Sequence, residues 1–152
     1  MSQLSRVINS MRHYQTVLIA IDVYANFTPV IDRGVQIAGS PQACHVLYVA
    51  CPQSSCEPYG LFLERDYSEE VRRQASQALS LAGEKYAIPD TQLHVTFGSP
   101  ASEIQYQAEK LGADLIVMGT RGQSGMQLLL GSTANAVLHG VKTDVLAVKL
   151  TM

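Results

Sequence analysis

Two hydrophobic periods alternate along the chain. Apolar runs at Gln15–Ile21, Ala43–Val49, Leu115–Met118 and Asp144–Leu150, with an alternating run at Gln92–Phe97, predict five strands. Runs so little broken by polar residues belong to strands covered on both faces, the condition of a parallel sheet between helix layers. Between them lie stretches of helical period. Thr28-Pro29 predicts a cap residue followed by proline at the first helical position, opening a helix that runs through Ala38 and closes at Gly39. The clearest helix starts at Ser68 as its cap, has Glu69 and Glu70 at the positive end of its dipole, and carries Val71, Ala75, Ala78, Leu79, Ala82 and Tyr86 on one face. Gly98-Ser99-Pro100 turns the chain into a third helix with Ile104, Ala108 and Leu111 at helical spacing, ended by Gly112. A short fourth helix is expected from Thr133 to His139.

Strands alternating with helices call for right-handed crossovers. The predicted fold is α/β: a single open five-stranded parallel sheet of order 3-2-1-4-5 with helices on both faces, Rossmann-like. Such a sheet opens a crevice where its order reverses, between the carboxyl ends of the first and fourth strands. Asp22 stands at one of those ends and Met118-Gly119 at the other. Residues 1–12 read as a flexible polar lead, leaving 13–152 as the folded domain. The connection from Ala50 to Asp66, with Pro52, Pro58 and Gly60, has a length that often carries a binding or gating role.

Composition narrows the chemistry. With 152 residues and 47% apolar content the chain suits one domain with a full core. Its 11 basic and 13 acidic residues leave no basic face to select a phosphodiester backbone, so no nucleic-acid partner is expected. The apolar runs are strand-sized and the first dozen residues have no apolar core, so a cytoplasmic protein without membrane insertion is expected. Cys44, Cys51 and Cys56 are an odd count that argues against a disulfide scaffold, and the Cys51–Cys56 spacing fits neither a redox pair nor a zinc knuckle. They read as reduced thiols. His13, His45, His94 and His139 are scattered without metal-ligand spacing and read as structural or solvated; no metal site is expected.

The candidate chemistry lies after the fourth strand. Gly119, Gly122 and Gly125 come in quick succession around Arg121, and Gly131-Ser132-Thr133 stands just before the last helix. Glycines let backbone N–H groups close on an anion, and a helix N-terminus bearing hydroxyls adds donors and partial positive charge. There is no Walker lysine, no Gly-x-Gly-x-x-Gly after the first strand, and Met126 stands where a nucleophile elbow at Ser124 needs glycine. No catalytic residue is assigned.

These residues resemble the universal stress protein family, in its nucleotide-binding form. The resemblance runs from Gln15 to Leu150. It rests on Val-Leu-Ile-Ala-Ile-Asp in the first strand, His-Val-Leu-Tyr-Val in the second, Gly-Ser-Pro-Ala before the third helix, and Gly-Thr-Arg-Gly followed by Leu-Leu-Leu-Gly-Ser-Thr. The family signature places nine residues between its second and third glycines, whereas eight separate Gly122 from Gly131 here. Val23-Tyr24 also stands where small residues are usual, which would narrow the ribose end of the cleft. The resemblance implies ATP or AMP as ligand, with Mg2+ accompanying ATP. It puts adenine near Ala20, Val49 and Met118, Asp22 at the nucleoside, and Gly119, Arg121, Gly122, Gly131, Ser132 and Thr133 around ribose and phosphates. The other reading of Asp22 is that it simply caps the turn that follows it.

Two functions fit. One is a stress-response regulator whose nucleotide state alters its contacts with as yet unidentified protein partners. The other is a slow ATP hydrolase or phosphotransferase, for which a base or metal carboxylate would be needed; Gly119–Thr133 contains no acidic residue. The fifth strand falls at a sheet edge with Lys149 alone to guard it, and both this edge and the resemblance imply a homodimer through residues 145–150.

Overall fold

The computed structural model describes residues 2–3, 14–51, 67–120 and 132–150. Nearly all of the 1–12 lead, most of the long connection and the glycine loop lie outside them. The elements are β1 (Val17–Ile21), α1 (Thr28–Ala38), β2 (Cys44–Ala50), α2 (Ser68–Tyr86), β3 (Leu93–Phe97), α3 (Pro100–Leu111), β4 (Leu115–Gly119), α4 (Ser132–Gly140) and β5 (Asp144–Val148). All pairings are parallel and the order is β3-β2-β1-β4-β5, as the alternation of periods requires.

Alternate residues of each central strand feed two cores. Val17, Ile19, Ile21, Val46, Tyr48 and Val117 pack under α1 and α2 with Ile31 and Leu79. Leu18, Ala20, Leu47, Ile116 and Met118 pack under α3 and α4 with Ile104, Ala108, Ala134 and Val137. Every residue of β1 is buried, so the strand with neighbours on both edges is also closed on both faces. The amino end of the β1–β4 pair is stitched by Asp114. Its carboxylate accepts the Gln15 and Thr16 amides, each at 2.9 Å, and its own N–H donates to the Thr16 carbonyl at 2.9 Å.

Three local expectations are corrected. Thr28 is not the cap of α1: Phe27 is, its carbonyl accepting the Val30 and Ile31 amides, and no side chain caps the end. With the helix starting at Thr28, Pro29 is its second residue and lacks the N–H that a capping side chain would hold there, so an apolar residue can take the cap position and the sequence signal slips by one. Likewise Tyr67 caps α2 and Ser68 is its first residue, with Glu69 and Glu70 in the first turn as expected. The fifth strand ends at Val148 instead of Leu150, because the Leu150 amide leaves the ladder to donate to Thr120 Oγ1 at 3.2 Å. The thiol reading also changes: Cys44 is free and buried, with its pKa pushed up to about 11 by burial, while Cys51 is disulfide-bonded. Among the described residues, no helix is long and apolar enough to cross a membrane.

Helix α1 approaches β1 through Gly34, where an added Cβ would stand 2.5 Å from Ile19 Cδ1 and 2.7 Å from its Cγ1. Ile19 is fully buried and has nowhere to retreat. Gly34→Val is therefore expected to destabilise the fold by about 1–3 kcal/mol through overpacking, although it removes a glycine from mid-helix. Urea denaturation checks this, and a variant as stable as the native chain would mean that α1 is not held so close.

Candidate functional site

The carboxyl ends of β1 and β4 frame an opening lined by Ala20, Ile21, Asp22, Ala25, Asn26, Phe27, Val30, Gly119 and Leu150. It lies at the reversal of strand order, where the fold leaves room for a ligand. Ala20 is paired with Met118 on one side and Leu47 on the other, and Ala20 and Met118 belong to the core under α3 and α4. Val49, two residues beyond Leu47 on the same face, packs half-buried against that core. Ala20, Val49 and Met118 are thus brought to one face at the carboxyl end of the sheet.

Asp22 is the first residue after β1. Its Oδ1 accepts the Tyr24 amide at 2.9 Å and its carbonyl accepts the Ala25 amide at 3.1 Å, an Asx turn that starts the descent into α1. The capping role open to it in the sequence is therefore real, and it holds the carboxylate at the mouth of the opening. Tyr24 turns its ring away. It meets Tyr48 edge-on, with centroids 6.2 Å apart, and is not among the residues that line the described pocket. The Tyr48 hydroxyl is pushed up to about 12, by burial first and then by Tyr24 and the Asp22 charge.

Gly119 closes β4 under Leu150: an added Cβ would lie 2.6 Å from Leu150 Cδ1 and 3.4 Å from Val30 Cγ2. The next residue, Thr120, escaped the sequence reading. It is buried, its amide donates to the Val148 carbonyl at 3.0 Å, and its hydroxyl accepts the Leu150 amide. The only sequence signal was a hydroxyl residue one step past a strand end. Ser132 and Thr133 are the first two residues of α4, exposed and half-buried respectively, and Ala134 behind them shares a core with Ala20 and Met118. Gly119 puts the start of the glycine segment at the crevice, and Ser132 puts its end at the start of α4, two residues before Ala134. Arg121, Gly122 and Gly131 lie outside the described residues.

A second polar pairing also went unseen, because its members are 49 residues apart. His45 Nδ1 and His94 Nε2, on β2 and β3, lie 3.0 Å apart. Their rings are nearly parallel, at 17°, but with centroids 5.3 Å apart they meet nitrogen to nitrogen and not face to face. Two histidines that looked scattered therefore share a hydrogen bond. Among the described residues, no three His, Cys, Asp or Glu side chains are grouped to hold a metal ion.

The architecture defines a class, the doubly wound α/β domain with its opening at the switch point. The chain belongs to the universal stress protein family, whose description matches residues 13–149. It is 34% identical over 140 residues to Universal stress protein A homolog 1 of Coxiella burnetii, covering 90% of this chain and 96% of that one. The structure of universal stress protein UspA from Lactobacillus plantarum superposes with a TM-score of 0.75 at 22% identity, over 91% of this chain and 99% of that one, and shows the shared fold. A universal stress protein solved in complex with cAMP is 25% identical, with a TM-score of 0.58 over 90% of this chain and 98% of that one.

The histidine pair makes the fold sensitive to acid. Burial lowers the pKa of both rings, and the charges of His45 and of Lys110 on α3 lower that of His94 further. Folded-state pKa values below the unfolded value mean that their contribution is complete above about pH 6.5 and is lost as pH falls through the folded values. Chemical denaturation across that window should show stability falling with pH more steeply for the native chain than for the double variant His45→Asn, His94→Asn. Parallel profiles would deny the pair this role.

Proposed function

We propose that the chain binds an adenine nucleotide, ATP or AMP, in the β1–β4 crevice and acts as a dimeric stress-response regulator whose protein contacts depend on that nucleotide. The observation that supports this reading is the opening at the β1–β4 switch point, lined by Ala20, Asp22 and Gly119, with Met118, Val49 and Ala134 in the core that Ala20 joins. A flat base suits the shelf of Ala20, Val49 and Met118. Ribose hydroxyls suit Asp22. Phosphate oxygens suit backbone N–H groups at Gly119 and at the start of α4, the Ser132 and Thr133 hydroxyls, and Arg121, Gly122 and Gly131 between them. Mg2+ would accompany ATP through phosphate oxygens, since Asp22 is the one carboxylate that lines the described pocket. The family member solved with cAMP supports an adenine nucleotide as the ligand class.

Mass spectrometry of the small molecules released on denaturing the purified protein should find an adenine nucleotide. Gly122→Val puts a side chain where phosphate must approach, and calorimetry should then show ATP binding lost while the far-ultraviolet spectrum is unchanged. Undiminished affinity in that variant would remove the glycine segment from the site.

The dimer would form through β5, with Val145–Val148 as the paired edge in place of the longer run expected from the sequence. Val148 offers its carbonyl inward to Thr120, so the backbone groups of Ala147 point outward along the free edge. Ala147→Pro therefore removes an outward donor and leaves the β4 ladder intact. Light scattering at micromolar concentration should report a dimer for the native chain and a monomer for this variant; a native monomer would reject the interface.

A further inference from the structure

Among the described residues, one buried side-chain oxygen or nitrogen has no hydrogen-bond partner: Thr96 Oγ1. Leaving a hydroxyl unmet in the interior is costly, and native structures do so rarely. A helical threonine can satisfy its hydroxyl on a carbonyl one turn back, but a strand offers no such group. Nothing in the packing of β3 demands oxygen at this position, since valine has the same shape and suits a strand at least as well.

The position of Thr96 gives the oxygen a use. Thr96 is paired with Val49 across β2 and β3, and its side chain projects on the same face as His94, which is paired with Leu47. Ile21–Tyr48 is the last pair of the β1–β2 register, and Asp22 and Val49 are the residues that follow it on the two strands. Val49 and Thr96 are thus paired at the carboxyl end of the sheet, on the face where Ala20 and Met118 make the apolar shelf, and Asp22 leaves β1 at that same end. Adjacent strands are about 4.8 Å apart, so a base lying over Val49 brings its far edge to Thr96. Rotation about the Cα–Cβ bond exchanges hydroxyl and methyl between staggered positions, which lets the enclosed oxygen meet a ligand without moving the backbone.

We propose that the Thr96 hydroxyl recognises the bound base, forming a hydrogen bond with the polar edge of adenine at the far side of Val49 from Asp22. This rests on the adenine-nucleotide reading above and adds to it a group on β3, a strand that reading leaves out. The hydroxyl goes unmet in the free protein because its partner is the ligand.

The test compares AMP binding by calorimetry in the native chain, Thr96→Val and Thr96→Ser, with ribose 5-phosphate as a probe that lacks the base. Thr96→Val should lower AMP affinity roughly tenfold, the effect of one lost hydrogen bond that leaves its partner unmet. It should leave ribose 5-phosphate binding unchanged. Thr96→Ser, which keeps the hydroxyl, should retain most of the AMP affinity. The melting temperature of ligand-free Thr96→Val should equal or exceed that of the native chain, so that weaker binding is not a failure to fold. A native chain that binds AMP with the same affinity as Thr96→Val overturns this inference alone, as does an equal loss with ribose 5-phosphate. A native chain that binds no adenine nucleotide overturns both this inference and the function it rests on.

Discussion

The pairing of β1 with β4 is the constraint on which the remaining structure depends. These strands are distant in sequence, and the chain completes two crossovers on one side of β1 before it returns to the other. That return creates the switch point. The carboxylate of Asp114 fixes it at the amino end by taking both the Gln15 and Thr16 amides, which sets the register from Val17↔Leu115 to Ala20↔Met118. A one-residue slip would turn Leu18 and Ala20 into the α1/α2 core and would unseat Ile19 from its contact with Gly34. Where Asp22 and Gly119 emerge, and so the shape of the crevice, follows from this register.

The fold was legible in the sequence because its signals are local and agree with one another. Strands buried on both faces betray themselves as unbroken apolar runs, and Leu18–Ile21 and Leu115–Met118 could hardly be anything else. Helix ends were less legible where proline interfered: Thr28-Pro29 reads as cap and first residue, whereas the helix takes both and leaves Phe27 outside. The opening was legible as far as it rests on strand ends, which explains why Ala20, Asp22 and Gly119 line it. What escaped were contacts that exist only through strand order. His45 and His94 are neighbours because β2 and β3 are, and Thr120 matters because β5 lies beside β4. No periodicity within one segment carries that information.

Thr120 links the crevice to the outer edge of the sheet. Its amide holds the end of β5 and its hydroxyl pulls the next part of the chain out of the ladder, so that Leu150 folds back against Gly119 and Val30. The shortened β5 is a direct consequence of the crevice wall, since the same residue cannot both extend the ladder and line the opening. A change at Gly119 would therefore reach the edge strand through one side chain.

Thr120 apart, the two ends of the sheet treat their polar side chains differently. At the amino end, Asp114 is satisfied by two amides and Asp144 by the Tyr14 hydroxyl at 2.8 Å, so side chains there complete the fold. At the carboxyl end, Asp22 shapes a turn at the lip of an opening and Thr96 keeps a buried hydroxyl without a partner. A sequence selected for stability alone would put valine at position 96, where hydrophobic contact costs nothing and no hydrogen bond is lost. Tolerating the unmet oxygen at that end and nowhere else among the described residues makes sense if that end must receive something polar. The parallel sheet imposes this division: all its strands point the same way, so one end gathers the loops that open and the other gathers the contacts that close.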